Sequence, residues 1–149
     1  MEWRYFLWVS ERLNPGPYSD TDDERIAKTR SGISRAYYAA HNVARLYIHN
    51  NKYGGEGLSH EGMWELLEGR DNADEATAGE LGQELRIDRN TADYQGGVTA
   101  RDLREKHRLA IDKAYRICEL LKQPWQPAPA RKSVAPPTTV AAPVTPRKK

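Results

Sequence analysis

Apolar positions along this chain recur at intervals of three and four residues, and no stretch of useful length alternates with a period of two. Over residues 2–13, Trp3, Phe6, Leu7 and Leu13 fall near one face of a short helix, with Trp8 and Val9 beside them. Asn14-Pro15-Gly16-Pro17 stops that helix. Thr21-Asp22-Asp23-Glu24 then has the form of a capping box, in which the threonine hydroxyl and the glutamate each satisfy the other's free amide. From there the pattern predicts a long helix to about Asn50, with Ile26, Ile33, Tyr37, Ala40, Ala44 and Tyr47 on helical spacing. At about 1.5 Å per residue it spans roughly 40 Å. Gly32 inside it costs about 1 kcal/mol relative to alanine, so a close contact is its expected purpose.

Tyr53-Gly54-Gly55-Glu56-Gly57 reads as a flexible connection, after which Ser59 caps a short helix carrying Met63, Trp64, Leu66 and Leu67. Gly69 to Asp74 is a polar turn, and a further helix is expected from about Asp74 to Tyr94 with Ala78, Leu81, Leu85 and Ala92 inward. Gly79 and Gly82 weaken it, so its first half is expected to be irregular. Gln95-Gly96-Gly97 ends it, and Thr99-Ala100-Arg101-Asp102 forms a second capping box opening a last helix to about Gln123. The apolar stripe of that helix is Leu103, His107, Ala110, Ala114, Ile117, Cys118 and Leu121. Residues 1–123 are therefore expected to form one all-α domain, a four- or five-helix up-down bundle with short loops. Residues 124–149 hold seven of the nine prolines among alanine, threonine and valine. Such a segment buries too little apolar surface to offset its ordering entropy and is expected to be a disordered tail, with Trp125 able to pack back onto the last helix.

Composition narrows the function classes. The chain has 149 residues, 38% hydrophobic and 30% charged, as in a soluble globular protein. A single cysteine, Cys118, excludes an intramolecular disulfide and fits a reducing compartment. The start lacks the basic and apolar regions of a secretory signal, and nothing approaches a membrane span of about 20 apolar residues, so a cytoplasmic location without membrane partners is expected. The net charge of +2 conceals an asymmetry. The tail holds five of the 23 basic residues and none of the 21 acidic ones, leaving a body with 18 basic and 21 acidic residues. A mildly acidic body is no general phosphate-coating surface, so any nucleic-acid role must come from a local cluster or from the tail. No two of His41, His49, His60 and His107 have a close metal-ligand spacing, apart from the eight-residue gap between His41 and His49. No metal and no cofactor is expected, and the 53–57 glycine cluster lacks the strand and lysine of a phosphate loop.

The most distinctive stretch is Arg30-Ser31-Gly32-Ile33-Ser34-Arg35-Ala36-Tyr37-Tyr38-Ala39-Ala40-His41, where small residues, two tyrosines and arginines share one helix. It resembles the signature of the HEPN family of small helical-bundle proteins, in particular a branch whose long second helix reads Ser-Arg-Ala-Tyr-Tyr-Ala. Ser59-His60-Glu61-Gly62-Met63-Trp64 and Leu85-Arg86-Ile87-Asp88-Arg89-Asn90-Thr91-Ala92-Asp93-Tyr94 are similar, in the same order, to two further segments of that branch. The resemblance covers residues 1–123. It implies a homodimer, an RNA- or nucleotide-directed role in a toxin–antitoxin or defence system, and a nucleotidyltransferase partner protein.

Many HEPN members cleave RNA with an Arg-x(4–6)-His motif, whose arginine polarises phosphate while the histidine serves in acid–base chemistry. Counting from Arg89, Tyr94 stands where that histidine would fall, and a tyrosine with a pKa near 10 is a weak base at neutral pH. Literal matches join Arg35 to His41 inside the long helix and Arg101 to His107 on the last one. Three expectations follow. The first is a phosphate- or ligand-binding site of Arg35, Tyr38, Arg89, Asp93 and Tyr94 without the standard nuclease chemistry. The second is an active metal-independent ribonuclease using Arg101 and His107. The third is a non-catalytic dimerisation adaptor whose basic tail docks another macromolecule. The bland alternatives are an ordinary ion pair between Arg89 and Asp93 four residues apart, a core position for Tyr37, and a packed core or interface histidine at 107.

Overall fold

The computed structural model describes residues 3–13 and 21–123 as five helices: α1 (Trp3–Arg12), α2 (Asp22–Asn50), α3 (His60–Glu68), α4 (Ala73–Tyr94) and α5 (Ala100–Leu120). The chain is all-α, with no strand among the described residues. The proline stop after α1, the tail expected to be disordered and Trp125 lie outside the described residues. No described helix is long and apolar enough to cross a membrane.

Local chemistry sets the helix starts. Thr21 Oγ1 accepts from the Glu24 amide and Glu24 Oε2 accepts from the Thr21 amide at 2.8 Å, so the expected capping box is complete. Ser59 caps α3 through the Gly62 amide, as expected, and Asn72 caps α4 by accepting from the amides of Asp74 and Glu75. At α5 only half of the expected box forms. Thr99 Oγ1 accepts from the Asp102 amide, while Asp102 turns to the threonine hydroxyl at 2.7 Å. The shorter aspartate occupies the place of the usual glutamate.

Long-range contacts give the helix directions. Arg30, near the start of α2, meets the end of α4 at Ala92 and Gln95, whereas Tyr47 near the end of α2 meets Glu75 at the start of α4. These two helices are therefore antiparallel. Lys113 of α5 reaches Glu84 and Asp88 while Lys106 reaches Asp88, which sets α5 antiparallel to α4. Ser10 meets Gly32 while Phe6 lies against Arg35 and Tyr38, so α1 also runs against α2. The result is an up-down bundle around α2, whose Ile33, Ala36, Tyr37, Ala40, Val43 and Ala44 are fully buried. The expected α5 stripe, including His107, is buried along its whole length.

One expectation about α4 fails. Gly79 and Gly82 do not break its first half; the helix is continuous from Ala73. They let α3 pack closely instead. A Cβ at Gly79 would lie 2.4 Å from the Glu68 backbone nitrogen, and one at Gly82 would lie 2.1 Å from the Trp64 ring. Burial of Trp64, Leu67 and Met63 against α4 and α2 outweighs a propensity cost of about 1 kcal/mol per glycine.

Candidate functional site

Four of the five residues expected to bind a ligand line one open groove of about 580 Å³ between the first half of α2 and the end of α4. They are Arg35, Tyr38, Asp93 and Tyr94, joined by Arg30 and Ser34. Residues 30, 34 and 38 are successive turns of one α2 face, which is why a single helix can line the groove. The fifth, Arg89, sits beside the groove between its two tyrosines. Its guanidinium carbon lies 5.6 Å from the Tyr38 ring centre and 5.7 Å from that of Tyr94.

Arg89 Nε is 2.7 Å from Asp93 Oδ2, the i,i+4 pair that the spacing allows. Its N–H is not aimed at the carboxylate, so the attraction is coulombic rather than a formed hydrogen bond. An Nη2–H of Arg89 also donates to the Tyr38 hydroxyl at 3.4 Å. Asp93 is thus neutralised from behind by Arg89. Arg30 spends its guanidinium on the carbonyls of Ala92 and of the C-cap residue Gln95, at the C-terminal end of α4. Arg35 is different. It is exposed, rests its guanidinium over Phe6 at 5.5 Å, and meets no carboxylate among the described residues. Among the described residues the groove therefore has two arginines without a carboxylate partner, Arg30 held on backbone carbonyls and Arg35 not, and, in Tyr94 at 75% exposure, one large exposed aromatic surface.

The structure does not assemble Arg101 with His107. Arg101 is exposed at the start of α5 and lines a separate dent with Asp22, Arg25 and Arg104. His107 is buried. Ser10 donates its hydroxyl hydrogen to Gly32 O at 2.8 Å, leaving the hydroxyl oxygen to face His107 Nε2 at 3.1 Å, and Ser10 O faces the same nitrogen at 3.0 Å. Two acceptors on one side place the proton on Nε2. Burial lowers the His107 pKa against the opposing effect of the Ser10 hydrogen bond, so the ring is neutral at physiological pH. The close contact anticipated at Gly32 is with this ring, because a Cβ there would lie 2.2 Å from Nε2. His107 is the clasp between α1, α2 and α5.

A second concave site was not anticipated. His41, Arg45, His49 and Lys52 follow the groove face toward the C-terminal end of α2 and beyond it, and line a pocket of about 810 Å³ with Ile48, Glu56, Leu58, His60 and Met63. The rings of His41 and His60 lie with centres 4.1 Å apart at a tilt of 31°, and the fully buried Tyr37 carries a hydroxyl 2.9 Å from His60 Nδ1. Burial, the neighbouring His60 and Arg45 hold His41 down at about 4. His60 is also lowered, by burial and by Arg89 and Arg86. The signal was present in the sequence as the four-residue spacing 41, 45, 49, which reads as a basic helix face once it is not tested only as a metal motif. Among the described residues no group of three or more His, Cys, Asp or Glu could hold a metal ion. No protein-family model matches the chain, and no curated protein and no solved structure matches it either.

Proposed function

We propose that this chain is an RNA- or nucleotide-directed binding module of a HEPN-like type, without standard Arg-x(4–6)-His nuclease chemistry. The observation that carries this reading is the groove, where an arginine without a carboxylate partner and an exposed tyrosine face the same open space. Arg35 supplies the charge for a phosphate, and Tyr94 supplies a face on which an unpaired base stacks. Arg89 and Asp93 hold Tyr94 and Tyr38 in position. An open trough suits a chain that runs past it, which favours RNA over a free nucleotide at this place. The ribonuclease alternative loses support because the histidine it needs is buried and hydrogen-bonded to Ser10.

The HEPN likeness adds homodimerisation, a nucleotidyltransferase partner and a toxin–antitoxin or defence setting to the proposal. Titration of labelled single-stranded RNA with EDTA present tests the core of it. Tyr94→Ala is expected to weaken binding by about tenfold, the usual scale for one stacked base, and Arg35→Ala to weaken it and flatten its salt dependence. The RNA is expected to stay intact. Unchanged affinity in both variants sinks the proposal, and EDTA-resistant cleavage restores the nuclease alternative.

A further inference from the structure

The pocket at the far end of α2 differs from the groove in shape and in lining. About 810 Å³ lies within the range of small-molecule sites and far exceeds what a bare phosphate ion fills. Its rim is cationic. Arg45, His49 and Lys52 are exposed, and none of them meets a carboxylate among the described residues. Glu56 is the one acidic side chain in the lining. Ile48 and Met63 at the back are buried, and Leu58 adds an apolar side wall at 44% exposure. The rings of His41 and His60 lie against each other at a tilt of 31°, and among the described residues no hydrogen bond falls on His41.

The wall made by the 51–59 connection is built and anchored. Tyr53 of the connection and Tyr47 of α2 both donate their hydroxyls to Glu75 Oε1 at 2.9 Å, and Arg70 Nε lies 3.3 Å from the other carboxylate oxygen. A Cβ at Gly55 would lie 2.8 Å from Ile48 Cγ2, so the connection's backbone presses directly on α2. Gly54 and Gly57 take left-handed backbone with φ of +74° and +79°. The amides from Gly54 to Gly57 donate to no acceptor among the described residues and remain available for an anion.

We propose that this pocket is a small-molecule site for a phosphorylated compound with a flat, largely apolar body, of the chemical class of the nucleoside monophosphates. The phosphate sits among Arg45, His49 and Lys52, where charge-assisted hydrogen bonds have no internal competitor. The flat body lies between the His41 face and the wall of Ile48, Leu58 and Met63. Glu56 accepts from the hydroxyl or amino groups that such compounds carry. The assignment stands on residues separate from those of the groove.

Calorimetric titration of the full chain with AMP, adenosine, inorganic phosphate and a short RNA decides it. AMP is expected to bind, with adenosine and inorganic phosphate each at least tenfold weaker, because each lacks one half of the contacts. Arg45→Ala/Lys52→Ala is expected to lower AMP affinity by tenfold or more, while Arg108→Ala, a paired and exposed arginine on α5, serves as the control for loss of charge. All replaced side chains are exposed, and circular dichroism checks that the fold persists. No binding of any nucleoside monophosphate at millimolar concentration overturns the proposal, as does binding that ignores the double variant. Inorganic phosphate as tight as AMP overturns the role of the apolar wall. If the double variant loses RNA affinity and AMP does not bind, the pocket belongs to an RNA surface and the small-molecule assignment falls. AMP binding without RNA binding upholds the pocket and sinks the groove.

Discussion

His107 and His41 are both histidines on packed helix faces, both hold a pKa below the ordinary histidine value, and burial is the main cause in each case. What separates them is what surrounds each ring. His107 is closed in by Gly32 on one side and spends Nε2 on two oxygens of Ser10, so its polarity is consumed in joining three helices. His41 has its ring against that of His60 and lines a pocket rimmed with arginine, histidine and lysine. A depressed pKa alone therefore does not mark a functional histidine.

The largest effect is expected from Gly32→Ala. The added methyl would lie 2.2 Å from Nε2 and force the His107 ring out of its slot, with loss of the Ser10 contacts. Chemical denaturation is expected to show a loss of about 3 kcal/mol. An unchanged midpoint means the ring is not clamped and the clasp is misassigned. Next in size is the contrast between His107→Ala and His41→Ala. The first leaves a cavity and unpaired oxygens in the core and costs about 2–4 kcal/mol, whereas the second removes a half-buried ring and costs less than about 1 kcal/mol. Equal losses would erase the distinction.

The smallest effect is the acid response. His41, His60 and His107 all have folded-state pKa values below the 6.5 of the free side chain, with His41 at about 4. The unfolded chain therefore binds more protons than the folded one as pH falls below 6.5. Stability is complete above that value and declines toward about 4. Thermal melts from neutral pH to about 5 are expected to show the decline, reduced in the His41→Ala protein. A melting temperature flat across that interval contradicts the lowered pKa of these rings.

Much of the fold was legible because its determinants are local. The Thr21–Glu24 box, the Ser59 cap and the seven-residue stripe of α5 depend on residues within a few turns of each other, and all appear where expected. Gly79 and Gly82 misled because propensity speaks of an isolated helix, while their purpose lies in Trp64 and Glu68 of another. The Arg89–Asp93 pair was readable from spacing, and the meeting of Arg89 with Tyr38 across two helices came only as a consequence of the resemblance. The pocket escaped for a plain reason. Its basic residues mark a helix face, but concavity requires Leu58, His60 and Met63 to fold back over that face after the 51–59 connection. The partner of Gly32 was equally hidden, since nothing near it in sequence names His107.

Arg30 carries a consequence for how the chain reaches this state. Its guanidinium holds the carbonyls of Ala92 and Gln95, groups that a helix of its own cannot satisfy. The end of α4 is thus completed by a residue far upstream, and that contact forms only after a long loop has closed. The start of α4 is capped locally by Asn72, whereas the carbonyls at its end depend on α2. Tyr94 lies in that last turn, so the groove exists only once α2 and α4 are docked.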